Sequence, residues 1–193
     1  MDSRSFNHNL AQVRQEYPIP PVPDWTRSGK LRIAAVYGGY LSRRLVDLVG
    51  DYPGLWYESL LPPTETMVDY TPEVADMLQE ARVNLVVMGY FSKNFGFKVE
   101  RPQYEQCARF IYECHQRDIR AMVYISFANI HKTLIEEMPE AATWVQRNAD
   151  GTPKAYGPHG ERLHGCYNNP GWFEYQKKVA INVVQSGADG VFI

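Results

Sequence analysis

The chain has 193 residues, 45% of them hydrophobic, with a formal net charge of −2. That is the length of one domain with enough apolar material for a core, and the scattered basic residues leave no electrostatic footprint for nucleic acid. No run approaches the ~18 apolar residues of a membrane span, and the N-terminus MDSRSFNHNLAQVRQ lacks the apolar centre of a signal peptide.

Residues 1–30 are polar and proline-rich, with four prolines in YPIPPVPDW, and read as an irregular lead-in. LRIAAVYGGY (31–40) is a β-prone apolar run ending in a glycine pair. SRRLVDLVGDY then shows helical spacing at Leu45, Val46, Leu48 and Val49. GLWYESLLPP (54–63) is a second short strand candidate, closed by two prolines.

YTPEVADMLQEARV opens a helix, with Thr71 as cap, Pro72 in the first helical position and Glu73 facing the positive end of the dipole. Val74, Ala75, Leu78 and Ala81 form its expected buried stripe. VNLVVMGYF (83–91) is continuously apolar, as expected of a strand buried on both faces. A second helix is expected over 101–118, where Tyr104, Cys107, Ala108, Ile111 and Cys114 recur at helical spacing. IRAMVYISFAN (119–129) is the next buried strand.

A long loop rich in Gly, Pro, Asn and His follows over about 130–170, with a short helix expected within IEEMPEAATWVQ. Loops of this length are commonly functional. The third helix starts after Asn169, its expected cap, with Pro170 in the first position and Gly187 as a left-handed stop. ADGVFI ends the chain as a strand. Alternation of this kind specifies right-handed β-α-β units and a parallel sheet, whose sites are built at the C-terminal ends of the strands.

Composition adds two constraints. Thirteen Tyr and four Trp suit a protein that stacks flat ligands such as sugar rings, and suit aromatic-rich packing equally. Cys107 and Cys114 lie about 10 Å apart if they share a helix, too far for a disulfide. With Cys166 they make an odd set that fits a reduced, cytoplasmic chain. No C-x-x-C or H-x-x-x-H is present, so neither a metal nor a cofactor is expected.

EARVNLVVMGYFSKNFGF, IRAMVYISF, WVQRNADGTPKAY and CYNNPGWFEYQKKVAINVVQSGADGVFI, in this order, resemble the first half of a glycoside-hydrolase-type (β/α)8 barrel. The likeness is to glycosyl hydrolases related to the α-fucosidase and α-galactosidase clans and covers roughly residues 54–193. It leaves LRIAAVYGGY unexplained. The resemblance implies an α/β fold: a partial TIM barrel of about four β-α units over 31–193, ending with strand four. It makes 54–63 the first barrel strand. It also places a site carboxylate directly after the DGVFI strand, a position that follows Ile193, and a second carboxylate on a later strand. Hydrolysis of O-glycosidic bonds is therefore expected of a full-length enzyme and not of this chain by itself.

On that register Glu58, Tyr90 and Lys93 lie at the ends of the first two strands, and Asn129 and His131 follow the third. Trp144, Asp150, His164, Tyr167 and Asn168 belong to the long loop. These are the candidate sugar-binding residues. For Trp144 the chemistry is stacking on a pyranose; for Asn129 it is two-way hydrogen bonding to hydroxyls. For Asp150 the competing reading is a tight turn at Asp150-Gly151, and Asp189, at the wrong strand end for catalysis, is expected to fix a turn. The expected partners are a carbohydrate and either the missing half of the barrel or a second copy, because a half barrel leaves edge strands and an apolar interior uncovered. A different reading makes VYGGYLSRRL the glycine-rich approach to a helix N-terminus that holds a nucleotide or phosphate.

Overall fold

The structure, a computed structural model, describes residues 24–26, 29–36, 70–156 and 162–193. Contacts divide the chain into two units, Met1–Leu31 and Arg32–Ile193. In the first, Asp24–Thr26 form a single 3-10 turn. In the second, the strands of the main sheet are β1 (Ile33–Val36), β2 (Leu85–Ser92), β3 (Arg120–Ile125) and β6 (Gly190–Phe192). All neighbours pair in parallel, in the order β1-β2-β3-β6. Helices α1 (Pro72–Glu80), α2 (Phe97–His115) and α4 (Pro170–Gln185) each precede or link these strands. A four-stranded parallel sheet wound in this way is consistent with part of a (β/α)8 barrel.

One strand assignment changes. The place beside β2 that the resemblance gives to 54–63 is taken by Ile33–Val36, with Ile33 opposite Leu85 and Val36 opposite Met88. β2 carries β3 on its other edge, so both of its neighbours are accounted for. LRIAAV is thus the first strand of the sheet, and GLWYESLLPP lies outside the described residues, as do Glu58, Gly38-Gly39 and the helix expected within SRRLVDLVGDY (42–52).

Helix α2 starts at Phe97, four residues before the expected position. Pro102 thus lies inside the helix, and Gly96 stands at its N-cap with a φ of 110° that only glycine adopts comfortably. Cys107, Ile111 and Cys114 are buried as the periodicity requires, joined by Phe110, while Tyr104 and Ala108 are half-buried. In α1, Ala75 and Leu78 are buried, Val74 is half-buried, and Ala81 is exposed because it caps the helix. Thr71 sits at the N-cap, but its hydroxyl serves the Glu73 side chain rather than a backbone N–H.

The expected third strand is two. Arg120–Ile125 belongs to the parallel sheet, and Asn129–His131 (β4) turns away to pair antiparallel with β5 (Arg162–His164). The segment between them holds α3 (Lys132–Glu137) and a 3-10 turn, Pro139–Trp144. The long loop is therefore a small subdomain with its own ribbon. Asn169 caps α4 through Oδ1, which accepts from the Gly171 and Trp172 N–H groups, and Gly187 ends the turn after the helix at φ 84°.

The two faces of the sheet differ. Val86, Met88, Ala121 and Val123 point at the helices and are fully buried with Phe110, Ile111, Val179 and Val183. The opposite face carries Ile33, Ala35, Val87, Tyr90, Met122, Tyr124 and Phe192, all at least partly exposed. Period-two alternation produces this division, interrupted in β2 by a register shift between Met88 and Ser92 that turns Tyr90 to the open face, and right-handed crossovers place the helices on one side. In a barrel the second face is the lumen.

Candidate functional site

The C-terminal ends of β2, β3 and β6 converge on an aromatic row. The rings of Tyr90 and Tyr124 are 5.2 Å apart and cross at 71°. Those of Tyr124 and Phe192 are 5.5 Å apart at 44°. These three rings stand on the open face of adjacent strands, one per strand. Lys93 reaches back over this row, its Nζ 3.3 Å from the Tyr90 centroid, a cation–π arrangement. Burial pulls the Lys93 ammonium down to a pKa of about 7, against a smaller upward pull from Glu100.

Behind this surface the lip of β2 (residues 92–96) is held by one carboxylate. Glu100, fully buried in the first turn of α2, accepts from the Ser92 hydroxyl at 2.7 Å and the Tyr104 hydroxyl at 2.6 Å. It also accepts from the N–H of Lys93 at 2.7 Å and of Phe95 at 3.1 Å. Burial raises the Glu100 pKa, while the hydrogen bonds from Tyr104, Ser92, Phe95 and Lys93 work the other way.

Asn94 is the second fixing point. It is buried, with φ 62°, a left-handed conformation that asparagine tolerates better than most residues. Its Nδ2 donates to the carbonyls of Ser126 and Asn129, its Oδ1 accepts from Gln176 of α4, and its carbonyl accepts from the His131 N–H. One side chain thus ties the ends of β2 and β3 to β4 and α4.

The other candidates fall into three groups. Asn129 and His131 are buried and committed. Asn129 accepts from Ser126 Oγ and donates to the Lys93 carbonyl; His131 Nδ1 accepts from the Thr133 N–H as the cap of α3, with its ring 4.1 Å from Phe95. Both shape the lip that carries Lys93. Trp144 is also interior. It packs on Trp172 and Tyr175 at 6.5 and 5.9 Å and faces Gly171, so no ring face is open for stacking.

Asp150 makes a turn. Its Oδ1 accepts from both the N–H and the hydroxyl of Thr152 on an exposed hairpin, which also holds its carboxyl below the usual carboxylate range. His164 lies in β5 against Tyr156 at 4.9 Å. Tyr167 and Asn168 are exposed, with Tyr167 stacked on Phe127 at 5.5 Å. They stand after the β4–β5 ribbon, not on the aromatic row. Asp189 fixes the entry to β6, accepting from His115, Arg120 and the Ala121 N–H.

Of the residues expected from the sequence, Tyr90 and Lys93 come together. Tyr124, Phe192, Asn94 and Glu100 complete the arrangement and were not anticipated. The alternation in VYISF and VFI marked Tyr124 and Phe192 as sharing a face once β3 and β6 were set side by side, whereas Tyr90 joins that face only through the register shift in β2. The residues closing β2, β3 and β6, namely Ser92–Lys93, Ile125–Ser126 and Phe192–Ile193, include no carboxylate. Among the described residues no group of three or more His, Cys, Asp or Glu is placed to hold a metal ion, and no helix is long and apolar enough to cross a membrane.

No protein-family model matches the chain, and no curated protein matches it in sequence. Solved structures do match in fold. An alpha-galactosidase from Thermus thermophilus, in complex with stachyose, superposes with a TM-score of 0.54 at 15% identity, over 85% of this chain and 32% of that one. A noncanonic maltogenic alpha-amylase from Thermotoga neapolitana gives 0.52 at 13% identity, over 83% of this chain and 38% of that one. An alpha-galactosidase from Lactobacillus brevis gives 0.52 at 11% identity, over 84% of this chain and 20% of that one. The chain spans a fifth to two-fifths of the length of these enzymes. They are glycoside hydrolases of the amylase and galactosidase type, as the motif order led one to expect, and at such identities the likeness is one of fold.

Proposed function

We propose that this chain belongs to a carbohydrate-active protein of the glycoside-hydrolase type, and that its described residues supply sugar recognition. The observation that carries this reading is the row Tyr90–Tyr124–Phe192, with Lys93 above it, at the C-terminal strand ends of a parallel sheet. In parallel α/β folds that end of the sheet is where ligands bind. Aromatic faces and edges take the C–H surface of a pyranose by burial, and a lysine ammonium donates up to three hydrogen bonds to ring or hydroxyl oxygens. The fold likeness to alpha-galactosidase and alpha-amylase supports the same ligand class.

Glycoside hydrolysis needs two carboxyl groups, about 5 Å apart for retention or roughly 6.5–9.5 Å for inversion. Glu100 is enclosed by four donors and cannot act as one of them. The acid–base pair is therefore assigned to strands beyond the four described, and bond cleavage to the protein that contains them.

The test is titration of the ¹⁵N-labelled chain with galactose, maltose and stachyose, followed by amide shifts. Saturable shifts at Tyr90, Lys93, Tyr124 and Phe192, weakened at least ~10-fold by Tyr124→Ala, support the assignment. No shift at ~50 mM sugar, weaker than any affinity of use to an enzyme, sinks it.

A further inference from the structure

The four donors on Glu100 divide between its two oxygens. Oε1 accepts from the N–H groups of Lys93 and Phe95, and Oε2 accepts from the hydroxyls of Ser92 and Tyr104. Each of these partners is a donor, which suits an ionised carboxylate, because only that form accepts and gives nothing. A neutral carboxyl has a proton to place. It goes to Oε2, since a hydroxyl can turn round and accept, whereas a backbone N–H cannot. Ser92 Oγ already accepts from the Asn94 N–H at 3.2 Å. Tyr104 has room to turn, because it stands on the wall of a groove between α2 and α4 that Lys178, Asn182 and Gln185 also line. The two N–H bonds to Oε1 then lose their charge assistance, about half the strength of such a bond. Both N–H groups lie on the lip, and one belongs to Lys93, whose Nζ stands over Tyr90.

We propose that Glu100 is a positioning residue of the sugar site, and that a proton on its carboxylate and a sugar on the aromatic row oppose each other. The ionised carboxylate holds Lys93 at the row, and the neutral acid holds it less firmly. This rests on the sugar-binding reading of Tyr90, Tyr124, Phe192 and Lys93. The coupling is reciprocal, so a bound sugar also makes Glu100 the stronger acid. Burial supports the idea, since it raises the Glu100 pKa above 4.5 against the hydrogen bonds of Tyr104, Ser92, Phe95 and Lys93. The other titratable groups around the lip come from four elements. They are Lys93 of the lip, Tyr104 of α2, Tyr175 of α4, and His131 of β4 against Phe95. Glu137 of α3 lies on the far side of Gly96 and accepts from the Lys98 N–H at 3.0 Å. Burial lowers His131 to about 4, below the Glu100 range, and Lys93 to about 7. It raises both tyrosines, which keep their protons.

Amide spectra of the ¹⁵N-labelled chain, titrated upward from pH 4.5 without sugar and then with galactose or maltose, decide it. Far-UV circular dichroism is the control for folding. The N–H signals of Lys93 and Phe95 should move together on one midpoint. Glu100→Gln removes that shared step and leaves the separate step of the Lys93 ammonium. Tyr104→Phe, which takes away a donor that favours the ionised form, moves the midpoint to higher pH. Sugar should bind at least ~3-fold more tightly above the midpoint than below it, and Glu100→Gln should lose that difference. Two amides with unrelated midpoints overturn the proposal, as does a midpoint that Tyr104→Phe leaves in place. Equal sugar affinity on both sides of the midpoint overturns it too. Amides that titrate as expected while no sugar shifts the row overturn it through the sugar reading, not through Glu100.

Discussion

Replacing Glu100 by alanine removes the acceptor that four donors share, three of them on buried residues. Ser92 and Glu100 are fully buried, and Lys93 is 5% and Phe95 1% exposed, so water does not readily take the place of the lost carboxylate. Each buried donor left without a partner costs about 1–3 kcal/mol. The two hydroxyls can rotate to other acceptors, whereas the N–H groups of Lys93 and Phe95 cannot. Two orphaned N–H groups and a side-chain cavity give a loss of about 3–5 kcal/mol, partly offset by no longer burying a charge. Glu100→Gln keeps one oxygen acceptor and should lose about 1–3 kcal/mol. Burial holds the folded-state pKa of Glu100 above its ordinary value of 4.5. The folded protein therefore binds this proton more tightly than the unfolded chain, and the group's contribution to stability falls as pH rises above 4.5. The deficit of Glu100→Gln should accordingly be larger near pH 4.5 and smaller near neutrality. Urea unfolding followed by tryptophan fluorescence, at both pH values, measures all of this. An alanine variant within about 1 kcal/mol of the parent, with unchanged m-value, would refute the view that Glu100 holds the lip.

Lys93→Met tests the buried ammonium from the opposite direction. The folded pKa is lowered to about 7 from 10.5, so the parent gains stability as pH rises from 7 toward 10.5, by at most about 1.4 kcal/mol per pH unit, and the methionine variant lacks that gain in paired denaturant titrations. His131 is held neutral by burial, then by the nearby charges of Lys132 and Lys93, with its pKa lowered to about 4. Stability should fall as pH drops from 6.5 toward 4, where protonation also ends its acceptance from the Thr133 N–H. His131→Asn, which retains a capping acceptor, should flatten that limb of a melting-temperature profile. A Cβ on Gly165 would lie 2.6 Å from Trp172 Cε2, within a packed aromatic cluster, so Gly165→Ala should lower stability by about 1–3 kcal/mol; a melting temperature equal to the parent's would show that the ring can shift.

Much of the framework was readable in one dimension because it rests on short-range rules. Pro72 and Pro170 in first helical positions, the Asn169 cap and the left-handed Gly187 each depend on a few adjacent residues, and each stands in the structure. Other features escaped because their cause lies far along the chain. Helix α2 continues N-terminally past Pro102 because Gly96 and the Glu100 hydrogen bonds hold its first turn. Trp144 looked like a stacking platform on a polar loop, but α4 returns from residue 170 to cover it with Trp172 and Tyr175. Asn129 and His131 were placed after a strand end as candidate sugar contacts, whereas the fold engages Asn129 with residues 93 and 126 and His131 Nδ1 with residue 133.

By itself the sequence determined the alternation of strand and helix, and through it a parallel sheet with one face under helices. Hydrophobic period and chain handedness are enough for that. Only the tertiary structure decided which strands are neighbours. Pairing of β1 with β2 joins residues about fifty apart, and nothing local distinguishes 33–36 from 54–63 as the partner. The same step assembled the aromatic row, since Tyr90, Tyr124 and Phe192 meet only when three strands lie side by side. A strand's inward residues follow from its own alternation, whereas their contacts depend on register across the sheet, which the chain sets only by folding.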